Sequence, residues 1–426
     1  MKFSTQDIAG WANYPRINAT VFEPTKLEEI QQMVREQPRV LARGNGKSYG
    51  DASLSPRVIS MLRLNKILHF DAENGQITGE SGVLLSDLLA VMVPEGWFLA
   101  VTPGIKQITV GGAIASDVHG KNHPTAGCFS NHLISFDLIN ASGEIQHCSK
   151  QENTPLFWQT CGGMGWTGVV LRATIQLQRI SSAFMCQKTV VAGHLSQLFD
   201  AFEVYSDWPY AAAWIDCTHG QGRGAVYFAR HESSSQATNT LRFEEKKKIQ
   251  VPFFAPSGLL NAWTIRLYNQ RYFWKSRAGE QRISLDAYFY PLDAIQDWNR
   301  LYGRRGFVQY QCCIPKENAR SGIDKLLKTI QLSRETPFLS VLKRHGKRPA
   351  EAIHSFPIEG YSLALDFPRT KGILALISQL DDLVWALGGK IYLTKDACSA
   401  PKMGRIRPED FAPPKFYSLL RERISQ

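Results

Sequence analysis

None of the eight cysteines (Cys128, Cys148, Cys161, Cys186, Cys217, Cys312, Cys313 and Cys398) stands in a CxxC pair or at metal-ligand spacing. That argues against a zinc-ribbon core and for buried, reduced thiols, with no metal site expected. The stretch Met1-Lys2-Phe3-Ser4-Thr5-Gln6-Asp7 lacks the apolar core of a secretory signal. The apolar run from Val83 to Val93 carries Ser86 and Asp87 and is too short to span a bilayer. No internal repeat or low-complexity tract breaks the chain. These absences point to a cytoplasmic globular protein. Its composition supports that: 426 residues, 44% hydrophobic and 20% charged, are enough for two or three domains with sizeable cores. The net charge of +11 implies attraction to an anion, be it a phosphorylated substrate, a nucleic acid or an anionic membrane. Much of the excess lies between Arg242 and Arg282, which favours a phosphate funnel or a membrane face.

Glycine is plentiful where it matters. Gly111-Gly112-Ala113-Ile114-Ala115-Ser116-Asp117-Val118-His119-Gly120-Lys121-Asn122-His123 follows Thr102-Pro103-Gly104. A second cluster is Gly162-Gly163-Met164-Gly165-Trp166-Thr167-Gly168, and a third, upstream, is Arg43-Gly44-Asn45-Gly46-Lys47-Ser48-Tyr49-Gly50-Asp51. Small residues let main chain approach a large ligand, and clustered amides offset phosphate charge. Two familiar motifs are only apparent. Gly46-Lys47-Ser48 lacks the upstream glycine of a phosphate-binding P-loop, since position 41 is Leu41. The GxGxxG at Gly163 runs into a β-alternating segment and not into a helix, which excludes a Rossmann fingerprint.

Local patterns outline an α+β chain. Thr25-Lys26-Leu27-Glu28 reads as a capping box, with Leu27, Ile30 and Val34 at helical spacing until Pro38. Val40-Leu41 begins a strand into the first glycine loop; Ser86 to Val93 reads as a helix; His132 to Asn140 and Val169 to Leu177 read as strands. Further strands are expected at Ala211–Cys217, Ser284–Tyr290, Phe307–Ile314, Phe338–Lys343 and Tyr361–Phe367, with helices at Glu317–Leu332 and Lys371–Leu387.

The three glycine segments, in this order, resemble the FAD-binding domain of the vanillyl-alcohol-oxidase (PCMH-type) flavoproteins, and within them the decaprenylphosphoryl-ribose 2'-oxidase branch. The resemblance covers nearly the whole chain. It implies a two-subdomain FAD-binding domain over residues 1–180, and a substrate domain over 181–390 whose antiparallel sheet, flanked by helices, roofs the flavin. A C-terminal segment, 391–426, would return to the site. Cofactor contacts are expected from Arg43, Gly44, Asn45, Gly46, Lys47, Ser48, Tyr49, Thr102, Gly104, Gly111, Gly112, Ala115, Ser116, His119, Gly120, Asn122, Gly162, Gly165 and Lys395. Flavin-tethered relatives often carry a histidine in the first loop; Lys47 stands there instead, so the FAD is expected to be non-covalent.

The same resemblance implies catalytic roles for His119, Lys121 and Lys395, and a substrate pocket containing Trp214, Phe289, Gln309, Gln311, Lys343, Ser362 and Ala364. Alternation independently puts Gln309 and Gln311 on one strand face and Tyr310 on the other, and paired amides suit a polyhydroxyl ligand. Three departures from the branch fall on the substrate side: Phe289 for a tyrosine, Ala212 for a serine, and Ser362 and Ala364 for an asparagine and a cysteine. The implied reaction is oxidation of a secondary sugar alcohol by hydride transfer to flavin N5, with a polyprenyl-phosphoryl pentose as substrate and a separate keto-reductase partner. Two alternatives stand beside it: an aldonolactone or alditol oxidase acting on free sugars, such as a D-arabinono-1,4-lactone oxidase, and a basic nucleic-acid-binding protein, for which no recognition motif is present. The basic and aromatic residues from Phe243 to Arg282 read as a lid that touches the inner face of the membrane as a peripheral contact.

Overall fold

The computed structural model describes residues 2–233, 241–243, 248–256, 258–399 and 415–425. Three sheets dominate the architecture. The first is four-stranded, in the order Lys2–Ala9, Arg16–Glu23, Arg57–Ser60, Leu41–Arg43, with Leu41–Arg43 parallel to Arg57–Ser60. The Leu27–Glu36 helix packs Ile30, Met33 and Val34 beneath it. In the second sheet the long Val169–Arg179 strand lies between Gln76–Glu80 and Leu133–Ile139 and also pairs Trp97–Leu99. The Leu85–Met92 helix buries Leu85, Leu88, Leu89 and Met92 in the core under this sheet.

The third sheet has eight strands, and every pairing in it is antiparallel. Three neighbouring strands matter most: Leu339–His345, Gly360–Pro368 and Phe307–Pro315. Register places Gln309 opposite Asp366, Gln311 opposite Ala364, Val341 opposite Ala364 and Lys343 opposite Ser362. Period-two alternation then separates two faces. Tyr310, Cys312, Ile314, Leu342, Leu363, Leu365 and Phe367 turn to one side, where the Lys316–Leu332 and Ile373–Ala386 helices cover them. The polar members of the same strands turn to the other side, toward the glycine loops. Helix-backed apolar residues thus fix which residues face the opposite wall, because a one-residue slip would invert both faces.

The α+β expectation holds, with two local corrections. The helix after Thr25 is capped one residue later than the sequence suggests. Lys26 is the extended N-cap, and the Glu29 carboxylate accepts from the amides of Thr25 at 2.8 Å and Lys26 at 3.3 Å, so Glu28 is not the reaching residue. Ser284–Tyr290 is not a strand. The strand Gly279–Ser284 stops at Ser284, whose hydroxyl accepts from the Ala287 amide at 3.3 Å and caps a helix over Leu285–Phe289. All five helical residues are buried, so no helical stripe was readable there. Among the described residues no helix is long and apolar enough to cross a membrane.

Candidate active site

A cavity of about 280 Å³ lies between the glycine loops and the polar face of the eight-stranded sheet. The loop that leaves the Leu41–Arg43 strand supplies Arg43, Gly44, Asn45, Gly46, Lys47, Ser48 and Tyr49 to its wall. Among the described residues no acceptor engages the amides of residues 45–48. They are free to serve an anionic ligand. Gly44 is required by the packing: a side chain there would collide with the Thr109 hydroxyl, which belongs to the opposing loop. Thr109 also accepts from the Gly112 amide at 3.2 Å and so starts the short Val110–Ala115 helix. Gly104, Gly111, Gly112, Ala115 and Ser116 complete this wall. The third cluster adds Met164 and Gly165, held by the Met164 amide donating to the Ala115 carbonyl at 2.9 Å.

The sheet contributes Gln309, Gln311, Val341, Lys343, Ser362 and Ala364, and the segment after Ile391 contributes Tyr392, Thr394 and Lys395. Lys395 lays its ammonium 3.7 Å from the Tyr49 ring centroid. Burial pulls this lysine below its ordinary range, while the charge of Asp366 pulls the other way. Burial likewise raises Asp366, whose carboxylate accepts from the Gln309 amide. Lys343 is pulled down to about 8 by burial alone. A half-buried cation on the cavity wall can meet an anionic ligand.

His119 closes the floor. Its Nε2 lies 3.1 Å from the Gln311 side-chain nitrogen, and its Nδ1 has no partner. Burial and the neighbouring cations hold the ring well below its ordinary pKa, so it is neutral at pH 7. Behind it His345 stacks edge-on, with ring centroids 5.0 Å apart, and meets the Ser362 hydroxyl at 2.7 Å.

Several residues expected at the site lie outside the cavity wall. Thr102 meets the Tyr290 hydroxyl at 2.7 Å, and the Asn122 amide donates to the Ala100 carbonyl at 2.8 Å. Gly120 and Gly162 pack against protein, Gly120 beside Asn122 and Gly162 beside the His354 backbone. Lys121 donates to the Tyr288 carbonyl and lies 4.1 Å from that ring, so its ammonium is engaged with protein. Phe289 is a core residue, tilted against Phe98 and edge-on to Tyr210, and Trp214 packs on Tyr272. These residues support the wall from behind. Sequence reasoning passed over Asp366 and His345, although alternation through Ser362-Ala364-Asp366 and Lys343-His345 carries both onto the polar face. It also missed Lys106, a buried lysine that pairs through its ammonium with Asp286 and donates its backbone amide to the Asp293 carboxylate at 2.8 Å, which fastens the 103–109 loop to the sheet domain.

The wall fits a flavin dinucleotide. Free loop amides suit a pyrophosphate, and the unpartnered buried atoms Ser81 Oγ, His119 Nδ1 and Gln309 Oε1 belong to lining residues that can bond a polar ring system.

Comparison with known proteins agrees. A family model described as an FAD binding domain matches residues 19–149. The decaprenylphosphoryl-beta-D-ribose oxidase of Mycolicibacterium smegmatis is 33% identical over 413 residues, covering 92% of this chain and 89% of that protein. The L-gulonolactone oxidase of Bos taurus is 30% identical over 213 residues, 48% of this chain and 47% of the relative. The D-arabinono-1,4-lactone oxidase of Eremothecium gossypii is 26% identical over 203 residues, 45% and 37% of the two chains. The lactone oxidases thus share about half of this chain, whereas the ribose oxidase runs through both the glycine loops and the polar sheet face. This chain is an FAD-dependent oxidoreductase and belongs to the family that includes the Mycolicibacterium decaprenylphosphoryl-beta-D-ribose oxidase.

Proposed function

We propose that the protein oxidises a secondary hydroxyl of a polyprenyl-phosphoryl pentose, a decaprenylphosphoryl-ribose-like lipid, at C2 to the ketone. One observation carries the reading: free loop amides, paired glutamines and two half-buried lysines, Lys343 and Lys395, converge on a single cavity. Bound FAD supplies the two-electron acceptor for the carbinol hydride. The chain supplies placement and charge. Gln309 and Gln311 offer donor and acceptor atoms to sugar hydroxyls. Lys343 faces the phosphate. Lys395 stabilises the negative charge that develops as the hydroxyl loses its proton. Neutral His119, oriented by Gln311, fixes the reacting group by a hydrogen bond from its free ring nitrogen.

The four- and six-stranded sheets act as two subdomains of an FAD domain that ends near residue 180. Residues 181–390 form the substrate domain, and 391–426 bring Lys395 to the cavity. The FAD is dissociable, since Lys47 stands where flavin-tethered relatives carry a histidine; its ammonium lies over the Trp11 ring, 3.6 Å from the centroid. A separate keto-reductase would complete an epimerisation, and we propose that both enzymes work in the cytoplasm. The test is anaerobic mixing of the yellow protein with a short-chain polyprenyl-phosphoryl ribose and, separately, with aldonolactones. Flavin bleaching by the lipid-linked sugar is the expected result. Bleaching by free lactones alone would overturn the substrate. Acid precipitation of the same sample should leave the flavin in the supernatant.

A further inference from the structure

The Ala262–Lys275 helix presents apolar groups on two opposite faces. Its inner face is seated. Ile265 and Asn269 are buried, and the Asn269 amide donates to Asp216 at 2.9 Å. The Tyr272 hydroxyl meets that of Tyr227 at 3.0 Å, and its ring lies 4.6 Å from Trp214. The outer face is bare. Trp263, Leu267 and Trp274 are 72%, 56% and 70% exposed. Their spacing of four and seven residues aligns them in one stripe, with Gln270 on the same line. Arg266 flanks the stripe on one side and Arg271 and Lys275 on the other. The adjoining segment exposes Ile249 at 71% and Phe253 at 70%. From Lys248 to Gly279 the sequence holds Lys248, Arg266, Arg271, Lys275 and Arg277 and no acidic residue.

Monomeric proteins rarely leave two tryptophans and a leucine in line on a solvent face. A cationic rim around an aromatic-aliphatic stripe matches one surface closely, the headgroup region of an anionic bilayer. There the tryptophan rings settle at the boundary and long basic side chains bury their stems while their heads reach phosphate. With 14 residues the helix is about 21 Å long and cannot span, so it lies in the plane.

We infer that this helix docks the protein on an anionic phospholipid membrane through Trp263, Leu267 and Trp274. The position serves the site. Trp214, under the helix, pairs across the sheet with Val341, which lines the cavity. Docking would therefore bring a lipid surface beside the wall that receives a lipid-linked sugar. Within the lid expected over Phe243 to Arg282, residues Ala262–Lys275 form a helix seated on the sheet; Lys246 and Lys247 lie outside the described residues.

The test uses the full-length, FAD-loaded protein and co-sedimentation with vesicles of phosphatidylcholine alone or with about one-third phosphatidylglycerol. The wild type should bind the anionic vesicles and largely ignore the neutral ones. Trp263→Ser with Leu267→Ser and Trp274→Ser should weaken binding by at least about tenfold while flavin content stays unchanged. Arg266→Gln with Arg271→Gln should weaken it by about fivefold per charge. Equal sedimentation of wild type and triple variant would overturn the proposal. So would a wild type that ignores anionic vesicles, including one in which the triple substitution abolishes only self-association, since the stripe would then cover a second copy. The docking face does not rest on the identity of the sugar. Flavin reduction by a short-chain substrate without vesicle binding would tell against docking alone; binding without flavin reduction would tell against the oxidase reading alone.

Discussion

Lys395 rests its ammonium over Tyr49, 3.7 Å from the ring centroid, so the first glycine loop directly holds the last of the lysines that line the cavity. The Tyr49 amide reinforces the link by donating to the Thr394 carbonyl at 3.2 Å. A cation so fixed needs no reorganisation as charge develops next to it. Lys395→Met should therefore slow flavin reduction by roughly a hundred- to a thousandfold while FAD remains bound. Stopped-flow absorbance under saturating substrate separates the two effects; a rate within a factor of about three of wild type would remove Lys395 from the chemistry.

Arg423 ties the same region from the C-terminal side. Its guanidinium meets Asp51 at 2.8 Å and Asp396 at 2.8 Å, both nearly fully buried. Removing it leaves two carboxylates in a dry environment. Arg423→Gln should cost about 3–5 kcal/mol of stability, as expected when one member of a buried ionic cluster is deleted. Urea unfolding followed by circular dichroism measures this, and Arg423→Lys should recover part of the loss.

Lys343 makes substrate affinity depend on pH. Burial holds the free lysine at about 8, below its ordinary value of 10.5. A bound phosphate favours the protonated form, so binding takes up a proton once the free group has lost its own. Affinity should fall as pH rises past about 8, by up to roughly tenfold per unit. Lys343→Met should be weak at every pH and lack that slope. KM profiles for the phosphorylated sugar provide the check.

Gly50 lets the first loop touch the segment that carries Lys395. A side chain at this position would run into the Asp396 carbonyl, which is backbone and cannot swing away. Gly50→Ala should lower FAD occupancy and shift thermal unfolding down by about 4 °C or more. Flavin absorbance per polypeptide and a melting curve report both.

Much of this could be seen in the sequence, for identifiable reasons. The glycine loops are contiguous, so their backbone character is written locally. The strand around Gln309-Tyr310-Gln311 alternates, so its polar face was legible before the sheet was seen. The strand expected at Ser284–Tyr290 was misread because a short, wholly buried helix has no polar side to reveal its period. Trp214 and Phe289 were expected to face the substrate; neither lines the cavity, because Tyr272 covers Trp214 and the packing of Phe98 and Tyr210 turns Phe289 into the core.

By itself the sequence determined the α+β class, the glycine loops, and the charge excess near residues 242–282. Each of these depends on neighbours within a few positions, where local sterics and periodicity act. Only the tertiary structure decided that Lys395 meets Tyr49, that Arg423 meets Asp51, and that Trp263, Leu267 and Trp274 are left uncovered. Such contacts join residues hundreds of positions apart. They are set by how helices pack on one face of a sheet and thereby turn its other face toward the loops, a choice that no local pattern encodes.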